Sequence, residues 1–315
     1  MENEVILSIL VPVYNHEDYI EEALDSILMQ ETKYEYEVLA GEDKSEDSSR
    51  EILKKYEMEH PGKIRVLYRE KNLFKERIDN ITDLLMRGKG KYLIILEGDD
   101  FWTDKRKIEK QISFLERHPE YAAVAHNCVV VDKNSAPVEE SYPECKEHEY
   151  TFGHYASDIF PGQTASVMFR NIFRNPDYDS RLARFKLSPG DRKMAFSLLC
   201  NGKIFCIQEV MSAYRHITDE GSSYSAFNTE DELHAVRFCA VILNYAYKIN
   251  NERAVKAAEI KYIRALRIAL QKRMISLRQF IKYTRHLRNR KASALLMLKR
   301  DYNRFILRRE VSVNI

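Results

Sequence analysis

The sequence predicts an α/β domain, a mainly parallel sheet flanked by helices, followed by an all-helical appendage. Three observations carry this expectation. Short apolar runs at 5–13, 36–40 and 92–96 have the large and β-branched residues of buried parallel strands. Segments with helical spacing follow the first two runs, and alternating β and α stretches argue for a parallel sheet. Beyond a polar stretch at 224–232, glycine and proline vanish and a long helical tract begins.

The first strand is broken by Pro12 and closed by Tyr14 and Asn15. The helix after it aligns Tyr19, Ile20, Ala23, Leu24, Ile27 and Leu28 on one face. The strand at 36–40 runs into an acid-rich loop, G-E-D-K-S-E-D-S at 41–48, which opens a helix through Ile52, Leu53 and Tyr56. Ser45 or Asp47 suits the cap of that helix, whereas Asp43 is not needed for capping. The strand at 92–96 ends directly in Glu97, Asp99 and Asp100, joined through Gly98. Ligands of open α/β sheets bind outside the carboxyl ends of the strands. Acid packed so densely repels itself unless a cation sits there, and hard ions such as Mg²⁺ or Mn²⁺ share carboxylate oxygens with substrate phosphates. The alternative reading is an acidic surface turn. Pro, Glu, Ser and Lys without periodicity predict a long loop over 132–153 at the mouth of the site. Pro189, Gly190 and Asp191 then open an amphipathic helix over 192–200.

Three motifs, P-V-Y-N at 12–15, E-D-K-S-E-D at 42–47 and E-G-D-D at 97–100, resemble in order and spacing the family 2 glycosyltransferases of the GT-A fold. The likeness covers roughly residues 5 to 220. It implies a Rossmann-like sheet and an inverting transfer of a sugar from a nucleotide-sugar donor. By that resemblance Pro12, Val13, Tyr14 and Asn15 cradle the base and Asp43, beside Glu42, bonds the uracil. Glu97, Asp99 and Asp100 hold ribose and the metal on the diphosphate, and Asn72 and Asn80 lie beside the donor. Asp191 matches the family's general base, which takes the proton of the acceptor hydroxyl as that oxygen attacks; capping its helix is the alternative. Tyr214, Arg215 and His216 resemble a Y-R-x-H segment whose histidine completes the metal shell, here one residue shorter. Gln163, Thr164 and Ser166 lie in the acceptor-side loop, where they bind sugar hydroxyls or satisfy a turn. Asp79 stands where relatives carry a basic residue, so that positive contact is missing or comes from Lys75 or Arg77.

The chain's 315 residues, 44% of them hydrophobic, suffice for one large domain at 1–225 and an appendage at 226–315. Five cysteines, odd in number and without CxxC spacing, suggest reduced thiols and a cytoplasmic setting. The start M-E-N-E-V does not look like a signal peptide, and no apolar stretch approaches a membrane span. G-K-G-K at 88–91 lacks the spacing of a phosphate loop, which argues against a kinase or ATPase. Charge is divided: residues 251–310 carry 18 Lys/Arg against 4 Asp/Glu, leaving 32 against 44 in the first 250. Apolar positions at Ile260, Ile263, Leu266, Leu270, Leu277, Phe280 and Ile281 mark the helical faces. A basic amphipathic tract suits peripheral contact with the inner face of a membrane, or packing on the catalytic domain or a second subunit. Few aromatics and an acidic neighbouring domain speak against nucleic acid. The expected activity is transfer from a UDP-sugar to a saccharide or lipid-linked acceptor in surface-polysaccharide synthesis. The rivals are a sugar nucleotidyltransferase and an inactive binding module with a basic tail.

Overall fold

The computed structural model describes residues 5–73, 80–174, 190–217, 232–295 and 298. Strand β1 (Leu7–Val13) runs parallel to β2 (Tyr36–Glu42) on one side and to β4 (Tyr92–Ile95) on the other, and β3 (Ile64–Tyr68) continues the parallel set beyond β2. Helices α1 (Ile20–Leu28), α2 (Ser49–Glu59) and α3 (Asn80–Arg87) lie between them in sequence. Leu7, Ile9, Val11, Val38, Tyr92 and Ile94 are buried against α1 residues Ala23, Leu24 and Ile27 in one apolar core. Every residue of β4 is buried, as a strand covered on both faces requires.

After β4 come β5 (Phe101–Trp102), α4 (Lys107–Arg117) and the long β6 (Tyr121–Val131). Strand β8 (Met168–Arg170) is antiparallel to both β4 and β6, which makes the sheet mixed. Strand β9 (Lys203–Arg215) runs parallel to β6 and antiparallel to β5, and the order is β3-β2-β1-β4-β8-β6-β9-β5. Because β2 and β4 flank β1 on opposite sides, the chain's direction of winding reverses there. The crevice predicted for such a reversal lies at the carboxyl ends of β1 and β4. Gly90 answers for part of G-K-G-K: a Cβ there would sit 2.5 Å from the Ser8 backbone nitrogen, so close packing against β1 demands glycine.

The stretch 132–153 is more ordered than a structureless loop. Asp132 N and Ala136 O are 2.9 Å apart, Val138 N donates to Val130 O, and Glu144 Oε2 accepts from Cys128 N at 3.0 Å. Polar side chains there hold the backbone, and composition alone does not reveal that.

Contacts divide the chain into two compact units, the first comprising residues 1–149, 161–180 and 202–228 and the second 150–160, 181–201 and 229–315. Two segments expected in a domain at 1–225 therefore cluster with the helical unit, while most of the 224–232 boundary lies outside the described residues. The two-residue β7 (Glu149–Tyr150) falls at the division. The physical reason is aromatic and ionic: α5 (Phe152–Ala156) sets Phe152 and Tyr155 against Phe196 of α6 (Gly190–Asn201). Asp158, just after α5, pairs with Lys261 and Arg264.

Helices α7 (Glu232–Ile249), α8 (Glu252–Gln271) and α9 (Leu277–Thr284) complete that unit. Asn251 caps α8 and Ser276 with Gln279 forms a capping box on α9. Fully buried Glu259 accepts from the Tyr247 hydroxyl, Asn289 N and Ser293 Oγ, which satisfies its carboxylate. Ile260, Ile263 and Leu266 are buried as their spacing predicts. Leu277 and Ile281 depart from it and stay exposed, whereas Phe280 is half-buried and Thr284 buried on the same stripe of α9.

Candidate functional site

Two loops at the carboxyl ends of β1 and β2 are laced together. Asn15 N donates to Ser45 Oγ at 3.1 Å and Asn15 Oδ1 accepts from Glu46 N at 2.8 Å. Next along, His16 N reaches Ser49 Oγ and Glu17 N reaches Asp47 Oδ2. Asn15 and Lys44 take the left-handed conformation, φ 55° and 59°, that lets both chains turn back. Glu42 is fully buried, with Oε1 accepting from Ser45 N and Oε2 from Arg50 Nε, each at 2.5 Å. It braces the loop. Asp43 Oδ1 accepts from Leu73 N at 2.6 Å, while the Asn72 amide donates to Asp43 O and that of Asn80 to Gly41 O. The two asparagines thus hold the carboxyl end of β2. Lys75, Arg77 and Asp79 lie outside the described residues.

The acidic end of β4 is packed directly on the β1 loop. Gly98 N donates to Pro12 O, and a Cβ on Gly98 would lie 2.6 Å from His16 Nδ1, so only glycine fits. Around it the three carboxylates differ sharply. Glu97 and Asp99 are half-buried, whereas Asp100 is 1% exposed. Asp100 Oδ1 accepts from Arg215 N at 2.9 Å and Oδ2 from Gln163 Nε2 at 2.6 Å. Burial, then the charges of Asp99 and Glu97, push the Asp100 carboxyl well above the usual range. The Asp99 carboxylate makes no hydrogen bond among the described residues, although its carbonyl accepts from Arg215 Nε at 2.8 Å.

Of the three side chains expected to ligate a metal, Asp99 alone retains an uncommitted carboxylate. Asp100 is turned inward with both oxygens engaged, and His216 Nδ1 lies 2.6 Å from Glu140 Oε2. Among the described residues no group of three or more His, Cys, Asp and Glu side chains is arranged to hold an ion. The donor set still fits a hard divalent ion bound through one or two carboxylates and completed by substrate phosphates. An oxygen donor without a protein partner stands beside two further acids whose mutual repulsion is already felt at Asp100.

The acceptor-side loop also turns inward. Gln163 is 2% exposed, and its Oε1 accepts from Ala165 N while its amide holds Asp100. Ser166 is fully buried with Oγ donating to Gln163 O at 2.7 Å; Thr164, half-buried, retains a surface. Beneath them Gln111 Nε2 donates to Ser166 O and Val124 O, and Gln111 Oε1 accepts from the buried Lys107 ammonium, which lies over the Trp102 ring. Burial holds Lys107 well below the usual lysine range.

Arg215 is the residue whose role sequence reading missed. It is 2% exposed and donates to the carbonyls of Asp99, Asp132 and Lys133, to Ser135 Oγ and to Glu22 Oε2, with the Tyr19 ring 4.5 Å from its guanidinium carbon. The signal was strand parity: Met211 and Ala213 are buried four and two residues earlier, so the alternation of β9 turns Arg215 inward.

In the second unit Asp191 opens α6, half-buried, with Oδ1 accepting from Arg192 N at 2.6 Å. Burial raises its carboxyl, opposed by the Arg192 backbone bond and by the charges of Arg192 and Lys261. None of the five cysteines is in a disulfide among the described residues.

Comparison with known proteins gives the family and the fold. Residues 8–175 match the family described as Glycosyl transferase family 2. An uncharacterized protein of Mycobacterium tuberculosis, Rv1520, is 33% identical over 209 residues, 66% of this chain and 58% of that protein. The chain thus spans less than two thirds of that relative's length. The putative teichuronic acid biosynthesis glycosyltransferase TuaG of Bacillus subtilis is 34% identical over 188 residues, 58% of this chain and 72% of its own. The structure of Staphylococcus aureus TarS 1–349 in complex with UDP-GlcNAc superposes with a TM-score of 0.62 at 16% identity, covering 94% of this chain and 85% of that one. At that identity the likeness is one of fold, the mixed GT-A sheet with flanking helices. Matched over more than half of its length, the chain belongs to glycosyl transferase family 2.

Proposed function

We propose that the protein transfers a sugar, with inversion, from a UDP-sugar to a hydroxyl of a saccharide or lipid-linked acceptor in bacterial surface-polysaccharide synthesis. One observation carries the reading. At the winding reversal of the sheet, Asp99 keeps an uncommitted carboxylate while its neighbour Asp100 is locked into the fold. TarS, whose structures contain UDP-GlcNAc and UDP, supports the nucleotide, and TuaG, named for teichuronic acid, supports the polymer.

In this reading Tyr14, Asn15 and Asp43 receive the uracil, with Asp43 accepting its N–H. The lacing of the β1 and β2 loops orders those groups before the donor arrives, which lowers the entropy cost of binding. Asp99, with the donor phosphates, would hold Mg²⁺ or Mn²⁺, which neutralises charge on the departing diphosphate. Asp191 takes the acceptor's proton, and that oxygen forms a bond to the anomeric carbon. The bond from that carbon to the diphosphate breaks, and UDP leaves with the electron pair. A carboxyl raised by burial is a better base than an exposed one provided it stays ionised at working pH.

Calorimetric titration with UDP, with and without Mn²⁺, tests the site, and Asp191→Asn tests the base. The expected result is Mn²⁺-dependent UDP binding, lost in Asp99→Ala, and an Asp191→Asn variant that binds UDP but transfers at least ~100-fold more slowly. Metal-independent binding or near-normal turnover by Asp191→Asn would overturn the respective assignment.

A further inference from the structure

Helix α9 presents an outward face that the packing of its own unit leaves over. Its inner side is taken by Phe280 and by Thr284, which is 1% exposed and donates to Phe280 O at 3.0 Å. Leu277 and Ile281, one turn apart on the edge of the same stripe, are nevertheless 62% and 48% exposed. Helical spacing sets Arg278, Lys282 and Arg285 next to them, and these side chains with Gln279 and Ile281 line an open groove. Leu295 and Leu298, farther along, are exposed as well.

The charge around this face has a single sign. From Lys272 to Lys291 there are eight Lys/Arg and no Asp or Glu. All eight basic residues from Lys272 to Lys291 are exposed. A helix face solvated for its own sake carries acids among its bases, and a face meant for a protein core does not carry so many cations. Apolar side chains bordered by Lys and Arg fit an interface that is apolar below and anionic above, which a lipid surface with anionic headgroups provides. Long Lys and Arg side chains reach up to headgroups while Leu and Ile enter the acyl boundary.

We infer that α9 and the exposed basic residues after it as far as Lys291 dock the protein on an anionic membrane surface, with Leu277 and Ile281 inserted and Arg278, Lys282 and Arg285 on the headgroups. No helix among the described residues is long and apolar enough to cross a membrane. The inference stands on this surface alone and does not depend on the donor proposed above.

The test is sedimentation of the 315-residue chain with vesicles of phosphatidylglycerol or of phosphatidylcholine, at low and high salt. The wild type is expected to pellet with phosphatidylglycerol only, with part of that binding surviving high salt. Leu277→Asp/Ile281→Asp should lose most of the pelleting, and so should Arg278→Glu/Lys282→Glu, each with an unchanged melting temperature because the positions are exposed. UDP titration of the same variants should be unaltered, which separates failure here from failure of the donor assignment. Absence of pelleting would overturn the inference, as would equal binding to both lipids. Two further results would reassign the face. A wild-type dimer that Leu277→Asp/Ile281→Asp makes monomeric would give it to a second copy. Single-stranded DNA binding retained in that variant, with no pelleting, would give it to nucleic acid.

Discussion

The acidic end of β4 and the basic face of α9 are opposites in charge and also in how the fold treats them. At β4 nearly every polar group is consumed locally: Asp100 by Arg215 and Gln163, Glu42 by Arg50 and Ser45, the asparagines by the β2 carbonyls. What is left over is small and specific, the Asp99 carboxylate. On α9 the surplus is broad, two apolar side chains among many cations. A narrow surplus suits a ligand that must be held at one atom, and a broad one suits a surface recognised by its average character. Within one motif, Asp99 and Asp100 repeat the lesson: identical side chains, one carboxylate with no hydrogen bond among the described residues and one with both oxygens engaged.

Substitutions can break this comparison, and the largest effect belongs to the core of the helical unit. Ile260→Ala, at a fully buried position, should cost about 2–5 kcal/mol in denaturant unfolding. Ile281→Ala should stay within about 0.5 kcal/mol of wild type. Equal losses would mean that the outer face of α9 is packed. At β4 the division should run between activity and stability. Asp99→Ala should lower transfer about 100-fold or more while leaving melting unchanged. Asp100→Ala strands the Arg215 N–H and the Gln163 amide and should lower stability by about 1–3 kcal/mol, with Gln163→Ala in the same range. A stable but inactive Asp100→Ala would restore that residue to the site itself.

The smallest effect is electrostatic. Its hydrogen bond from the Lys91 ammonium holds Glu116 below the ordinary carboxylate range. A group with a depressed folded pKa contributes stability above its unfolded value, about 4.3, and loses it as pH falls through the folded value. Glu116→Gln should therefore flatten the acid limb of a melting-temperature profile slightly and leave neutral pH nearly unchanged, since an exposed pair contributes little. A larger change at neutral pH would show that the pair is more than a surface contact.

Much of the fold was legible because parallel strands and amphipathic helices print their burial into local spacing. The runs at 36–40 and 92–96 correspond to β2 and β4, and the faces of α1 and α8 are buried as their periodicity predicts. Local pattern stops short where a polar side chain's partner is distant in sequence. Gln163 reads as a sugar-binding glutamine until Asp100 is found against its amide, and Asp100 reads as a ligand for the same reason. The segment 150–160 joined the helical unit through single contacts such as Asp158 with Lys261, which no spacing encodes. Leu277 and Ile281 failed differently. Helical spacing identifies an apolar face, but whether that face meets a core or the outside depends on what lies opposite.

Arg215 turns three stretches of chain into one mechanical part. A single guanidinium fastens the backbone at Asp99 to the 132–135 turn and to Glu22 at the start of α1. For anyone redesigning this protein, that turn is therefore not an exchangeable accessory. A grafted loop that failed to return two carbonyls and a hydroxyl to Arg215 would loosen the strut from its far end. The disturbance would surface at Asp99, without a single altered residue near the acids.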